Sequence, residues 1–123
     1  MVLVDTSVWI RFLANRAPYS RELDRLLAID EVVGHELVYG ELLIGNRGGR
    51  EKLLTMYESM HQASIVPHSE AVEFVRHRNL RGRGVGWIDI HLLASALVGR
   101  LLLWTADTHL ATVADELGIA YHA

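Results

Sequence analysis

The sequence predicts an α/β fold in which a parallel sheet is covered by helices on its faces. Three observations carry this expectation. Short runs rich in valine, isoleucine and leucine alternate with segments of helical periodicity along the whole chain. Runs such as Val2-Leu3-Val4 and Leu101-Leu102-Leu103-Trp104 are apolar at every position, as strands buried on both faces are. The 123 residues, half of them apolar, suit one domain spanning 1–123, with a core that needs no covalent staples.

Met1 to Val4 reads as the first strand. Thr6 and Ser7 can cap a helix running to about Ala14, and Asn15 to Tyr19, with Pro18, forms a turn. Ser20 opens a second helix with Leu23, Leu26 and Leu27 on one face. Val32 and Val33 mark a second short strand. His35 to Ile44 is helical and apolar nearly all round, and Gly45 is placed to end it as a C-terminal glycine. Gly48 to about His61 forms a further helix, with Leu53, Leu54 and Tyr57 clustered. Ala63 to Val66 reads as a third strand closed by Pro67, and Ser69 caps a helix through about Leu80. Arg81 to Gly86 is a glycine-rich basic loop, and Trp87 to Val98 is a strongly apolar helix. Leu101 to Trp104 is a fourth strand, Asp107 to Leu117 a helix ended by Gly118, and Ile119 to Tyr121 a last strand.

Composition narrows the function classes. With no cysteine, a disulfide scaffold, a thiolate zinc site and a cysteine nucleophile are excluded. The seven histidines are scattered without zinc spacing. No apolar run approaches the ~18 residues of a membrane helix, and the N-terminus lacks the basic region of a signal peptide, so a cytoplasmic location is expected. The net charge of −3, taken alone, argues mildly against a nucleic-acid partner.

The placement of four acids is more informative than the total. In open parallel sheets ligands bind beyond the carboxyl ends of the strands. Asp5 directly follows the first strand, and Asp107 lies just past Leu101–Trp104; each could instead simply cap a helix. Glu41 has Leu37, Val38, Ile44 and Gly45 as its helical neighbours and no Lys or Arg at i±3 or i±4, which predicts burial of an unpaired carboxylate unless it sits at a rim and reaches solvent. Asp89 lies among Leu92, Leu93 and Ala96 on the apolar face of its helix. It is also in the first turn, where the helix dipole accounts for an exposed acid better than for one pointing with core leucines. One shared cause explains the four better than four separate ones. Oxygen ligands without thiolates suit hard cations, Mg²⁺ or Mn²⁺, and hence metal-assisted phosphoryl chemistry.

The same residues resemble the motifs of PIN-domain ribonucleases, and within them the VapC toxins of bacterial toxin–antitoxin pairs. Val2-Leu3-Val4-Asp5-Thr6-Ser7-Val8-Trp9 is similar to the family's opening strand and first acid. Val38 to Gly45 resembles the second motif with Glu41 as its acid, Gly86 to Ala96 the third with Asp89, and Leu103 to Asp107 the fourth. The resemblance implies a three-layer α/β/α sandwich with a mainly parallel central sheet. It also implies a Mg²⁺- or Mn²⁺-dependent endoribonuclease, a homodimer, and a cognate VapB-type antitoxin. On this reading Asp5, Glu41, Asp89 and Asp107 are catalytic residues and metal ligands, with Asp5 and Asp89 foremost, while Ser7 and Thr105 orient carboxylates from behind or serve as caps.

Eleven of the twelve basic residues are arginine. Arg76, Arg78, Arg81 and Arg83 cluster around a glycine-rich loop and read either as RNA phosphate contacts or as a solvated helix end favoured by its dipole. Arg47, Arg50 and Lys52 form a weaker cluster. Trp9, Trp87 and Trp104 are expected in the core, ahead of base stacking. His91 falls opposite Asp89 and His109 on a solvent-facing turn, so neither is assigned as a ligand. The apolar faces of the helices at Ser20 and His35 exceed what one sheet needs, which favours a dimer or an antitoxin groove. Rival readings are a PIN nuclease of RNA maturation without an antitoxin, and a non-catalytic binding module. A phospho-receiver lacks its acceptor Asp after Ile65-Val66 and its late Lys, and an Asp-x-Asp phosphatase fails at Ser7. Setting the four acids aside leaves 11 acids against 12 bases, so the negative charge is concentrated rather than general.

Overall fold

The structure, a computed structural model, describes residues 1–45 and 50–123. Three parallel strands lie in the order β2-β1-β3: β1 (Val2–Val4), β2 (Val32–Val33) and β3 (Leu102–Trp104). Val2 pairs with Val32 on one side and Leu102 on the other, and Val4 pairs with Trp104. Seven helices among the described residues flank the sheet: α1 (Thr6–Leu13), α2 (Tyr19–Ala28), α3 (Glu36–Ile44), α4 (Arg50–Glu58), α5 (His68–Arg78), α6 (Trp87–Gly99) and α7 (Thr108–Glu116). The chain moves from β1 to β2 on one side and later to β3 on the other. The carboxyl ends of β1 and β3 therefore border the switch point where such sheets bind ligands.

Strands β1 and β2 are buried throughout, with Leu3 and Val4 wholly inaccessible, whereas β3 buries Leu103 and Trp104 but leaves Leu102 exposed at the start of the strand. Trp9, Tyr57, Leu92 and Leu93 fill the core around them, and Trp9 meets Tyr57 edge-on at 5.5 Å. Within α6, every residue from Ile90 to Ala96 is buried, as its unbroken apolar sequence demands.

Two expected strands shrink to single bridges. The expected strand at Ala63–Val66 does not form; the chain instead touches the sheet one step earlier, where Gln62 bridges Gly34. Gly34 permits this approach, since a Cβ there would lie 2.6 Å from Gln62 and 2.8 Å from the Tyr57 ring. At the other edge Ala120 alone bridges Leu103.

Caps differ as well. Position N-cap belongs to Asp5, Pro18 and Pro67 rather than to Ser7, Ser20 and Ser69. Gly45 ends α3 with extended rather than left-handed backbone. Arg47 and Gly48 fall outside the described residues.

Helix α2 is strongly amphipathic and buries Leu23 and Leu26, so it leaves no surplus apolar face. Helix α3 does: Leu43 is 54% and Ile44 84% exposed.

Candidate functional site

Asp5 is the residue where β1 becomes α1. An aspartate at an N-cap ordinarily accepts from the first free N–H groups of its helix; this one makes no such bond. Its Oδ2 instead accepts from Ser7 Oγ at 2.6 Å and from Thr105 Oγ1 at 2.7 Å. Each hydroxyl has one proton, and these short contacts to an anion take both. The hydroxyl oxygens then accept in turn: Ser7 Oγ from the Ala106 N–H at 2.9 Å, Thr105 Oγ1 from the Asp107 N–H at 3.0 Å. The loop after β3 is thus tied to the end of β1 through one carboxylate oxygen. The capping explanation fails for Asp5, which is buried at 6% exposure and directs its charge to the switch point.

Asp107 combines both roles. Its Oδ1 caps α7, accepting from His109 N at 2.8 Å and Leu110 N at 3.0 Å, while the side chain stays largely exposed. His109 is exposed, as expected for a solvent-facing turn.

Glu41 is half-buried rather than fully buried, because α3 exposes one side. Its Oε1 accepts from Thr6 Oγ1 at 2.6 Å. Sequence reasoning treated Thr6 only as a cap; the signal available was its place beside Asp5, at the foot of the same strand.

Asp89 lies at the third position of α6. Its Oδ2 accepts the Gly86 N–H at 2.9 Å. Burial pushes its carboxyl above the ordinary carboxylate range, and the charges of Asp5, Asp107 and Glu41 push it further, against the Gly86 hydrogen bond. Asp5 and Asp107 thus follow β1 and β3, while Glu41 is linked to the β1–α1 turn through Thr6 and Asp89 to the start of α6 through Gly86.

No Lys or Arg among the described residues pairs with Asp5, Glu41 or Asp89 in a salt bridge. The donor set is all oxygen and its charge is uncompensated, which fits Mg²⁺ or Mn²⁺. Among the described residues no three His, Cys, Asp or Glu side chains form a ready chelating group. An ion here would therefore complete its shell with water, as Mg²⁺ ordinarily does.

The family model of the PIN domain matches residues 2–116, nearly the full chain and a span that contains Asp5, Glu41, Asp89 and Asp107. The chain belongs to the PIN-domain family. It is 44% identical over 121 residues to ribonuclease VapC32 of Mycobacterium tuberculosis, in both strain CDC 1551 / Oshkosh and strain ATCC 25618 / H37Rv. The alignment covers 98% of this chain and 95% of that protein. Among solved structures, PAE2754 from Pyrobaculum aerophilum superposes with a TM-score of 0.59 at 18% identity, covering 95% of this chain and 88% of the other. FitAcB from Neisseria gonorrhoeae gives 0.57 at 20% identity, covering 94% of each chain. These two show the fold of this PIN domain.

The arginines are not equivalent. Arg83 forms a two-pronged pair with Glu116 of α7, at 2.6 and 3.0 Å. Arg76 pairs with Glu73 at 3.3 Å. Arg78 and Arg81 are exposed. The Arg81–Gly86 loop packs on α7 at Gly84, whose φ of +78° and 2.9 Å approach of a would-be Cβ to the His109 ring both require glycine. The expectation of three core tryptophans holds for Trp9 and Trp104 but not for Trp87, which is 44% exposed at the start of α6.

Behind α6 lies a neutral histidine. His35 Nδ1 accepts from Leu37 N at 3.1 Å, and Nε2 contacts Ser95 Oγ at 3.0 Å, whose own proton goes to Ser64 O. Nε2 is therefore the protonated nitrogen. Burial, with His91 nearby, lowers its pKa to about 4.

Proposed function

We propose that this PIN domain is a Mg²⁺- or Mn²⁺-dependent endoribonuclease that acts as the toxin of a VapBC-type toxin–antitoxin pair. The observation that carries the proposal is the 44% identity to a ribonuclease over 98% of the chain; the positions of Asp5 and Asp107 just after β1 and β3, with Glu41 tied to the β1–α1 turn through Thr6, support it.

Asp5 and Asp89 would hold the ion, with Glu41 and Asp107 completing the pocket. When bound, the ion supplies Lewis-acid polarisation of a phosphoryl oxygen and a more acidic water. The chain's own contribution is orientation. Ser7 and Thr105 fix one oxygen of Asp5 and leave Oδ1 to the pocket. Thr6 does the same for Glu41 through Oε1, and the α7 amides engage only Oδ1 of Asp107. Four carboxylates without a cation repel phosphate, so RNA would bind productively only with the ion in place. Arg78 and Arg81, both exposed, and more weakly Arg76 and Arg83 with their carboxylate partners, would supply phosphate contacts for RNA.

The partners in this reading are RNA, a second copy of the chain and a VapB-type antitoxin. The exposed apolar end of α3, Leu43 and Ile44, supports a protein partner there. The proposed site of action is the cytoplasm; no helix among the described residues is long and apolar enough to cross a membrane.

Incubating pure protein with RNA in Mg²⁺, in EDTA, and as Asp5→Ala or Asp89→Ala tests the proposal. Cleavage should require the ion and both acids. Full activity in EDTA or in either variant would refute it.

A further inference from the structure

We infer that the cleft between the end of α5 and the start of α6 seats one unpaired nucleobase of a single-stranded RNA, with Trp87 as its stacking platform. This rests on the ribonuclease reading above and adds to it a base-seating subsite at Trp87.

The cleft has a volume of about 550 Å³, within the ~300–1,000 Å³ range of small-ligand sites. Leu80, Val85 and Ile90 give it an apolar floor, Trp87 a wall, and Arg76 and Arg81 a cationic rim. A solvent-exposed tryptophan on an otherwise close-packed helix has no packing explanation: the residues after Ile88 in α6 are buried through Ala96, apart from half-buried Asp89, while Trp87 stays 44% exposed. His68 and His91, neither of which lines the cleft, contact its ring at 5.4 and 5.2 Å and hold it in place. A fixed indole costs little entropy when a base stacks on it.

The cleft reaches the residue that caps α6, beside Asp89. That residue is Gly86, and the Gly86 N–H is bound to Asp89 Oδ2 at 2.9 Å. A base seated there therefore belongs to a nucleotide near the phosphate at Asp89, and the arginines lie where its flanking phosphates leave. Aromatic face, apolar floor and arginine rim together match an unpaired nucleotide; a base in a duplex offers neither free face.

The test compares binding of a short oligoadenylate with that of an abasic ribose-phosphate strand of equal phosphate number, both with Ca²⁺ as the divalent ion. The wild-type chain should bind the oligoadenylate about tenfold more tightly, the scale of one base–aromatic stack, with quenching of Trp87 fluorescence. Trp87→Ala should bring the ratio close to one, and Trp87→Phe should keep most of it. Equal binding of the two strands by the wild-type chain, an arm that needs no variant to fold, would overturn the inference. A ratio unchanged in Trp87→Ala would also overturn it, as would masking of Trp87 by a protein partner alone. The two readings fail separately: base preference without RNA cleavage in Mg²⁺ sinks the ribonuclease reading and leaves the cleft, whereas cleavage without base preference does the reverse.

Discussion

Replacing Ser7 by alanine removes one oxygen and breaks two bonds at once. Asp5 Oδ2 loses the 2.6 Å donor, and the Ala106 N–H, which gave a 2.9 Å bond to Ser7 Oγ, loses its acceptor. A hydrogen bond to a charged group contributes about 1.5–3 kcal/mol, and an orphaned buried donor costs about 1–3 kcal/mol. Two features reduce the sum. Thr105 still donates to the same oxygen of Asp5 at 2.7 Å, and Ser7 is only half-buried, so water can reach the vacated position. A net loss of about 2 kcal/mol follows, which for a chain of this size lowers Tm by roughly 6–10 °C. Function should fall further than stability, because Asp5 becomes free to rotate away from the ion; loss of such a support typically costs about 10–100-fold in metal affinity or activity. Thermal unfolding and Mn²⁺ titration of the folded variant separate the two effects. A variant with unchanged Tm and unchanged Mn²⁺ affinity would show that the hydroxyl neither joins the loop after β3 to β1 nor positions Asp5.

Asp89→Asn should abolish RNA cleavage yet leave the metal-free protein at least as stable as wild type. It removes a charge that burial and three carboxylates disfavour while retaining an acceptor for the Gly86 N–H; marked unfolding in urea would contradict this. Thr6→Val should leave the fold intact and weaken Mn²⁺ binding several-fold, since Glu41 loses its only side-chain donor among the described residues; unchanged binding would remove Thr6 from the site. His35 sets a pH dependence: its folded pKa is lowered to about 4 from 6.5, so the folded state binds fewer protons, and the stability it contributes is complete above pH 6.5 and is lost as pH falls towards 4. The loss approaches about 3 kcal/mol, and His35→Gln should flatten the dependence in urea titrations between those pH values. Gly84→Ala should lift the Arg81–Gly86 loop off α7 at a cost of about 1–2 kcal/mol, read by chemical denaturation; an unaltered midpoint would refute the packing on His109.

The strands and acids were legible in the sequence for a common reason. Val2–Val4 and Leu102–Trp104 are apolar at both parities, the pattern of strands covered on both faces, and an acid follows each, Asp5 immediately and Asp107 after Thr105 and Ala106. What could not be read were properties set by distant partners. Gln62 rather than Ala63–Val66 meets the sheet because Gly34 and Tyr57 fix where the chain can approach. Thr6 supports Glu41 across 35 residues of sequence, a contact that no local pattern encodes. Whether an N-cap aspartate caps with its side chain was also unreadable: Asp107 does, bonding the first amides of α7, while Asp5 does not, because Ser7 and Thr105 take its Oδ2. Trp87 was assigned to the core on its size alone; its place at the first turn of α6, beside an open cleft, leaves it in solvent.

The central claim is that Asp5 and Asp107, after β1 and β3, together with Glu41 of α3 and Asp89 of α6, hold the divalent ion on which RNA cleavage depends. Anomalous diffraction from crystals grown with Mn²⁺, at a concentration that supports full cleavage in solution, tests it most directly. A manganese peak should lie in direct contact with Asp5 and Asp89, and it should vanish in Asp89→Asn crystals. A peak elsewhere, or none at these acids while the same protein cleaves RNA, would contradict the account.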